Sequence, residues 1–297
     1  MRVFLTGATG QVGRAIAARL DSEGYVVIGM SRKRRDVQGL SEHFEANLGS
    51  EETVDLIKRA VLPCEMIVHA AASLSHDLYD PTISLTNCLG TQLILRLAEL
   101  WRTRQMVYLS SVPVIGLPQS DPITEEHPVN PPSAYHASKL YGEYLMQIAN
   151  RDGFRAVSLR LSSPAGPGTP ANRILATFVR RARANEPLKI LGRGSRKQNY
   201  VDVRDIAAAV NASLNMNASG LYNVAAAQSV SNHELALTCV DELSSSSPIE
   251  FSGKPDPEEG VMWNVSIAKA QRDLAFYPRF SIRDSIQAIS DEFTTSG

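Results

Sequence analysis

Two side chains four residues apart, the phenol of Tyr135 and the ammonium of Lys139, carry the most definite chemistry in this sequence. Residues at this spacing project from one face of a helix, so a helix here places the two groups side by side. A free tyrosine has a pKa of about 10, and a neighbouring cation can lower such a pKa by roughly 1 to 3. We therefore predict that Tyr135 is a general base toward an alcohol and, in reverse, a general acid toward a ketone.

A serine hydroxyl is the third candidate group. Ser110 and Ser111 follow the apolar run Met106–Leu109, which predicts a buried strand. From the end of that strand, Ser111 can hold the same substrate oxygen in line with Tyr135. Each feature also has an ordinary explanation, since tyrosine and lysine at helical spacing occur on many helix surfaces and serine is a common turn former. The chemical interpretation therefore depends on the fold around these residues.

The first thirteen residues predict a dinucleotide-binding turn. The apolar run Val3–Leu5 is followed by glycines at positions 7, 10 and 13, which permit a tight strand-to-helix turn and a close approach to a pyrophosphate. The helix should begin near Gln11, where free N–H groups and the helix dipole favour phosphate. The predicted cofactor residues of this turn are Gly7, Thr9, Gly10, Gln11, Val12 and Gly13. A glycine-rich turn without a ligand is the alternative.

The pattern that follows favours the first interpretation. A helix ending near Gly24 and a second apolar run, Tyr25–Met30, complete a strand-helix-strand unit typical of a doubly wound parallel sheet. Further strands are predicted at His43–Ala46, Met66–Ala72, Met106–Leu109 and Ala156–Leu161, and helices at Glu51–Val61, Leu85–Arg102 and from Ser133 to about Asn150. The proline-rich stretch between Pro113 and Pro132 predicts a surface loop.

The alternation loosens beyond residue 163, which predicts a smaller C-terminal α/β substrate lobe on a Rossmann-like domain. Helices are predicted at Asn172–Asn185, Val203–Met216 and from Ser281, with short strands at Leu188–Leu191 and Leu221–Val224. We assign residues 1–163 to the dinucleotide-binding domain, with returning segments within 199–224. Residues 164–297 form mainly the substrate lobe.

The residues after the second strand predict which dinucleotide is bound. An NAD-selective site usually presents an acidic side chain there, but this chain has Ser31 followed by four basic residues, and the first carboxylate is Asp36. The hydroxyl of Ser31 and the guanidinium groups of Arg32 and Arg35 suit a 2′-phosphate. The sequence therefore favours NADP over NAD, and a solvated basic loop is the alternative.

Composition excludes several classes of protein. Of the 297 residues, 43% are hydrophobic and 21% charged, and the net charge of −1 gives no general attraction to nucleic acid or an anionic membrane. Three scattered cysteines favour reduced thiols over a zinc site or a disulfide framework, and no metal site is predicted. Without an apolar run of membrane-spanning length or a leader, we expect a cytoplasmic protein.

Several ordered motifs together resemble the extended short-chain dehydrogenase/reductase family, of the sugar-nucleotide epimerase/dehydratase kind. The resemblance covers almost the whole chain. It rests on the opening glycines, Asn87 in an Asn-x-x-Gly-Thr helix, Leu109-Ser110-Ser111, Tyr135-x-x-x-Lys139, Pro164 with Gly166, the segment from Asn199 to Asp205, and Tyr222-Asn223-Val224.

The resemblance implies a role for each matched residue. Tyr135 would be the acid/base, Lys139 would bond the nicotinamide ribose and tune Tyr135, and Ser111 would orient the reacting oxygen. The remaining implied cofactor residues are Asn47 and Leu48 beside the adenine, Ala70, Ala71 and Ala72 along the cofactor, Asn87, which would bond the cofactor or steady its loops, and Leu109 and Pro164.

The sequence also departs from the family pattern. Val112-Pro113 follows Ser111 where dehydratases usually have Asp-Glu, which makes 4,6-dehydration unfavourable. Ser163 replaces the usual nucleotide-contacting Asn, and Gln198 stands where an Arg commonly grips the diphosphate, although Arg196 and its basic neighbours are close enough to substitute. We therefore predict substrate contacts from Ser111, Ser163, Arg196 and Gln198.

The leading hypothesis is an NADP-preferring oxidoreductase acting on a secondary alcohol or ketone of a nucleotide sugar or related metabolite, with a reductase favoured over a 4-epimerase. A reductase of a non-sugar ketone and a non-catalytic NADP-binding redox sensor are the alternatives. The family also suggests a homodimer formed by the helices at Leu85–Arg102 and Tyr135–Asn150. The apolar stripe Leu93, Leu97 and Leu100 permits such a contact, but it can equally pack on the sheet.

Overall fold

The computed structural model describes residues 1–75, 77–216 and 218–295. The longer strands in the first half are β1 (Arg2–Thr6), β2 (Val26–Ser31), β3 (Glu42–Glu45), β4 (Met66–His69), β5 (Gln105–Ser111) and β6 (Arg155–Leu161). The strands that follow are β7 (Ser163–Ala165), β8 (Leu188–Ile190), β9 (Lys197–Gln198), β10 (Tyr200–Asp202), β11 (Gly220–Val224), β12 (Val230–Ser231) and β13 (Ile249–Phe251).

Helices flank these strands. They are α1 (Gln11–Ser22), α2 (Glu52–Ala60), α3 (Gly90–Trp101), α4 (Ala134–Ala149), α5 (Ile174–Arg183), α6 (Val203–Asn215), α7 (Asn232–Glu242), α8 (Ala268–Leu274) and α9 (Ile282–Thr295). A π-helical segment, Ile83–Leu89, leads directly into α3, and a 3-10 turn, Val112–Ile115, follows β5.

The central sheet has seven parallel strands in the order β11-β6-β5-β4-β1-β2-β3. The chain runs outward from β1 to β3, crosses back to β4 and then continues in the opposite direction. This reversal confirms the predicted doubly wound, Rossmann-like fold. In such sheets a ligand binds beyond the carboxyl ends of the strands at the point of reversal, which here lies between β1 and β4.

Each face of the sheet carries its own apolar core. Successive strand residues point to opposite faces, so Val3 and Leu5 join the core beneath α1 and α6, whereas Phe4 joins the core beneath α2, α3 and α4. Both faces are therefore buried, which explains why the strands read as continuous apolar runs.

A third core holds the smaller lobe together. It unites α5, α7 and α9 around Leu188 and Tyr200, and short strand pairs join β8 to β13 and β7 to β10. The chain also returns to the main sheet, because β11 pairs with β6. Residues distant in sequence therefore meet above the carboxyl end of β6.

Several sequence predictions need correction. Ala70–Ala72 lie beyond the end of β4 and not within the strand. The predicted helix at 85–102 begins as the π-helical segment. Helix α7 was not predicted, although the capping box of Ser231 and Glu234 marks its start. The proline-rich stretch is not wholly on the surface. Val114, Ile115 and Ile123 are buried in the core beneath α1. Burial of these apolar side chains away from water stabilises the fold even though the backbone around them is a loop.

A buried ion pair joins three elements behind the carboxyl end of β5. The Arg160 guanidinium of β6 donates two bonds of 2.9 and 2.8 Å to the Glu143 carboxylate of α4, and Ser110 of β5 donates to the same carboxylate. All three residues are buried. Such a pair is stable only when each charge keeps its partner.

We expect Glu143→Met to destabilise the protein by about 3–5 kcal/mol, because Arg160 is left charged, buried and unpaired. The double variant Glu143→Met, Arg160→Met should recover most of that loss. Urea unfolding of the single and double variants measures both effects. Arg151→Met is the control: it breaks the exposed Arg151–Glu99 pair and should cost less than about 1 kcal/mol. Equal losses in the single and double variants would contradict this account.

Candidate active site

The turn between β1 and α1 is closely packed, which accounts for its glycines. Gly7 has a φ of +71°, and a Cβ there would lie 2.7 Å from the Ala71 nitrogen. A Cβ at Gly13 would lie 2.1 Å from the Gly7 carbonyl oxygen. No side chain caps the first turn of α1, which begins after Gly10, so its N–H groups face the cleft unpaired by a cap. This cradle fits a dinucleotide pyrophosphate.

A cleft of about 170 Å³ opens at this turn, at the point where the sheet reverses. Its lining includes the predicted residues Gly7, Thr9, Gly10, Ser31, Arg32, Asn47, Leu48, Ala70, Ala71 and Ala72. Met30, Ala46 and Thr86 also line the cleft but were not predicted; Thr86 lies in the π-helical segment beside Asn87.

Other predicted cofactor residues stand around the cleft rather than in its lining. Gln11 turns away and donates to Thr169 Oγ1 at 3.0 Å, while Val12 packs on the core beneath α1. Gly13 serves the close packing of the turn. Pro164 lies in β7, opposite Val201 of β10.

A chain of buried hydrogen bonds fixes the cleft wall at Ala70–Ala72. His69 Nδ1 lies 2.7 Å from Thr6 Oγ1, which accepts the Ala71 N–H, and His69 Nε2 lies 3.1 Å from Thr91 Oγ1. Burial, together with the smaller effect of the Lys139 charge, lowers the pKa of His69 to about 3, so the imidazole is neutral. A neutral ring can act as donor at one nitrogen and acceptor at the other.

Asn87 steadies the same wall from the other side. Its amide oxygen accepts the Ser73 N–H at 2.7 Å, and its amide nitrogen donates to the Ser73 carbonyl and to Ser138 Oγ of α4. Of the two roles that the sequence implied, the structure therefore displays the steadying of the loops. The cleft wall and α4 are joined through this one side chain.

The basic turn after β2 is organised by Ser31 and His43. Ser31 Oγ donates to the Lys33 carbonyl at 2.8 Å and lies 2.7 Å from His43 Nε2, while His43 Nδ1 lies 3.0 Å from the Arg35 carbonyl. The Ser31 hydroxyl is thus engaged in shaping the turn. A second, more open cavity is lined by Thr9, Gly10, Arg32, Lys33 and Arg35, with no carboxylate among these lining residues.

Lys139 fixes α4 to the end of β5. Its buried ammonium donates to the Leu109 carbonyl at 2.7 Å and lies 4.9 Å from the centre of the Tyr108 ring. The Tyr135 ring, one turn earlier, is 5.8 Å from the same ammonium. Because Ser111 is two residues beyond Leu109, α4 brings its tyrosine and lysine to the strand end that carries the predicted serine.

The expected lowering of the Tyr135 pKa by Lys139 is wrong for this structure. Burial raises the pKa of Tyr135 to about 12, and the opposing charge comes from Arg173 rather than from Lys139. Burial also lowers the pKa of Lys139 to about 8, against the opposite effect of Glu143. Desolvation outweighs the neighbouring cation, so the phenol keeps its proton at neutral pH.

Of the four predicted substrate residues, Ser111 ends β5, and Ser163, Arg196 and Gln198 lie beyond β6. Ser163 is half-buried and its N–H donates to the Asn199 carbonyl. The Arg196 guanidinium is 2.8 Å from Glu258 and 3.8 Å from Asp256, and with the Gln198 amide oxygen turned toward it, it also donates to Gln198. Arg196 and Gln198 are thus engaged with each other and with the lobe's own carboxylates.

Much of the segment from Asn199 to Asp205 is structural. Asn199 Oδ1 accepts bonds from Ser162 and the Ala226 N–H, which fastens the lobe to the end of β11. Asp202 caps α6 and pairs with Arg204, and Asp205 accepts the N–H groups of Arg279 and Phe280. Tyr200 differs, because its buried hydroxyl has no hydrogen-bond partner in the described part of the chain.

No cluster of metal-ligating side chains occurs among the described residues, and none of the helices they form is long and apolar enough to cross a bilayer.

Comparison with known families gives a match over residues 3–225 to the family model described as the NAD dependent epimerase/dehydratase family. The chain is 29% identical over 311 residues to the UDP-glucose 4-epimerase of Mycolicibacterium smegmatis, covering 96% of this chain and 96% of that protein.

Solved structures agree on the fold. The UDP-glucose 4-epimerase of Thermotoga maritima with UDP-glucose superposes with a TM-score of 0.89 at 20% identity, covering 100% of this chain and 99% of that one. The UDP-glucose 4-epimerase of Thermus thermophilus in complex with NAD gives 0.85 at 24% identity, with 100% of both chains covered.

We expect Lys139→Met to be more stable than the wild type below pH 8, because the wild type must keep a protonated ammonium buried. That penalty, on the order of 3 kcal/mol, is present in full below the folded pKa of about 8 and falls to nothing at the unfolded pKa of 10.5. The stability difference between variant and wild type should therefore shrink from pH 8 to pH 10.5. Urea unfolding of both proteins across this window measures it, and a difference independent of pH would contradict the burial argument.

Proposed function

The chain belongs to the NAD dependent epimerase/dehydratase family, and on that premise we propose that it transfers a hydride between a nicotinamide cofactor and a secondary alcohol or ketone of a nucleotide sugar or related metabolite. The observation that carries this proposal is the 2.7 Å bond from Lys139 Nζ to the Leu109 carbonyl. It holds the tyrosine and lysine of α4 against the strand that ends in Ser111, beside the cleft that fits a dinucleotide.

Each group then has a role in the chemistry. A bound nicotinamide supplies or accepts the hydride. Tyr135 holds the proton that reaches or leaves the substrate oxygen, Ser111 orients that oxygen, and the Lys139 ammonium supplies a buried positive charge and, in the bound state, a bond to the nicotinamide ribose. Burial raises the Tyr135 pKa to about 12, so the phenol holds its proton at neutral pH, which is the form that the protonation of a ketone oxygen requires.

We also propose a preference for NADP, whose 2′-phosphate the basic turn after β2 would recognise. Arg32 lines the cleft, and Arg32, Lys33 and Arg35 line the adjoining cavity. Arginine offers bidentate, charge-assisted bonds to a phosphate, whereas NAD recognition usually requires a carboxylate at this place. The NAD complex of the Thermus thermophilus relative supports a nicotinamide dinucleotide in general, without this preference.

The site also bears on two related reactions, 4-epimerisation and 4,6-dehydration. A 4-epimerase is the second candidate, favoured by the names of the relatives; it would retain its nucleotide and return the hydride to the other face of the sugar. A 4,6-dehydratase is disfavoured because Val112 and Pro113 follow Ser111 and Val112 is buried, which leaves no carboxylate at these positions to remove water. Net consumption of NADPH would identify a reductase, and turnover with retained cofactor an epimerase.

Tyr135→Phe should lower the rate of hydride transfer by about 10²–10⁴-fold, because the proton donor is lost while the ring remains. Absorbance of the reduced nicotinamide measures the rate, with UDP-glucose and the oxidised cofactor in one direction and a keto sugar nucleotide with the reduced cofactor in the other, and cofactor fluorescence checks that binding persists. Tyr144→Phe is the matched control on α4, since its ring is exposed. Full activity in Tyr135→Phe would contradict the proposed role of Tyr135, and unchanged cellular function of the variant would favour the non-catalytic redox sensor.

Arg32→Ser and Arg35→Ser should each weaken NADPH binding by roughly 10- to 100-fold and leave NADH binding nearly unchanged, because each removes a charged bond to the 2′-phosphate. Fluorescence titration with both nucleotides measures the change. Arg34→Ser is the matched control, because Arg34 lies in the same turn but outside both cofactor cavities. Tighter binding of NADH than NADPH by the wild type would refute the preference.

A further inference from the structure

The hydrogen bonds of the turn after β2 depend on the protonation of His43. The Arg35 carbonyl lies 3.0 Å from His43 Nδ1 and can only accept, so this nitrogen must carry a proton. Ser31 Oγ has one proton, which it donates to the Lys33 carbonyl at 2.8 Å. The other ring nitrogen, Nε2, lies 2.7 Å from the same Ser31 oxygen and must therefore donate as well. All three bonds exist together only when the ring is the imidazolium cation.

A neutral His43 loses one of these three bonds. With its single proton on Nδ1, the ring keeps the Arg35 carbonyl, but Nε2 then needs a donor. The Ser31 hydroxyl supplies one only by turning its proton away from the Lys33 carbonyl. With its single proton on Nε2, the ring releases the Arg35 carbonyl instead. In either form a backbone carbonyl of the basic turn is released, so the charged ring holds the turn more firmly than the neutral ring.

The position of His43 lets its ring exchange protons with water. His43 lies in β3, is half-buried and lines an open cavity of about 490 Å³ beside the turn. Histidine is the side chain whose charge ordinarily changes between pH 5 and 8. Charges of both signs surround the ring, from the turn, from β3 and from β1. They are Arg32, Lys33, Arg34, Arg35 and Asp36 of the turn, Glu42 and Glu45 of β3, and Arg2 of β1, which pairs with Glu42.

We propose that His43 is a proton-linked specificity residue for the dinucleotide, whose protonated ring holds the basic turn in the form that binds a 2′-phosphate and adds a positive charge to that turn. The proposal rests on the NADP preference proposed above. The ring is bonded to the Arg35 carbonyl and to Ser31, which directly precedes Arg32, so it acts on the backbone that carries both arginines.

The direction of the pH dependence follows from linkage. If protonation of His43 strengthens binding of the 2′-phosphate, binding of the phosphate favours the protonated ring by the same factor. The affinity for NADPH should therefore rise as the pH falls, whereas the affinity for NADH, which lacks this phosphate, should change little. The phosphate itself takes up a proton at about pH 6, which weakens binding at still lower pH and so opposes the expected change.

Fluorescence titration with NADPH and NADH at several pH values tests this role. As the pH falls from about 8.5 to about 6.5, the preference of the wild type for NADPH over NADH should rise roughly 5-fold, at the low end of usual couplings because salt screens an exposed turn. His43→Gln places a neutral amide at this position and should abolish the rise. His233→Gln is the matched control, because His233 lies in α7 and contacts the Phe251 ring of the smaller lobe. Nitrogen-15 NMR of the His43 ring should show that NADP⁺ increases the fraction with both nitrogens protonated.

The outcomes separate this role from the NADP preference on which it rests. A preference that rises in the wild type and in His233→Gln but not in His43→Gln supports the role. A wild-type preference for NADPH that is independent of pH, or that rises equally in His43→Gln, overturns the role and leaves the NADP preference standing. So does an equal weakening of both nucleotides in His43→Gln at every pH, because a residue that only supports the fold acts on both. Tighter binding of NADH at every pH refutes the NADP preference and this role together.

Discussion

The buried ammonium of Lys139 is the constraint on which the candidate active site depends. A charge removed from water requires close partners, and Lys139 finds the Leu109 carbonyl at 2.7 Å and the face of the Tyr108 ring. These contacts require α4 to approach β5 closely. The approach is possible because residue 142 is glycine: a Cβ there would lie 2.3 Å from the Tyr108 ring. The position of Tyr135 over the strand end follows from this packing.

The same helix needs a second anchor, because one lysine bond does not fix its rotation. Glu143, one turn further along, accepts two bonds from Arg160 and one from Ser110. Asn87 adds a link from Ser138 to the wall of the cofactor cleft. Three polar contacts on one helix thereby connect β5, β6 and the π-helical segment. The geometry of the candidate site is a property of this network rather than of Ser111, Tyr135 and Lys139 alone.

Local signals in the sequence predicted the fold and most of the residues that line the cleft between β1 and β4. The glycine turn, the apolar strands and the spacing of Tyr135 and Lys139 are short-range patterns, and the family match and the sheet order agree with the fold they imply. Electrostatics could not be predicted in the same way. The direction of the Tyr135 pKa depends on burial by distant segments, and the engagement of Arg196 depends on Glu258, sixty-two residues later. The capping box of Ser231 and Glu234 is a local signal for the start of α7, but α7 was not predicted from it.

The charges of the smaller lobe explain why its substrate is harder to infer than its cofactor. Several arginines there, Arg196, Arg204, Arg272 and Arg283, pair with a carboxylate of the same lobe, so a basic residue in the sequence is not always a free positive charge in the fold. An arginine that already pairs with a carboxylate gains little free energy by binding an anionic ligand in its place, because the displaced carboxylate must be moved or left desolvated without its partner. Recognition of an anion must therefore use groups that the fold leaves unpaired.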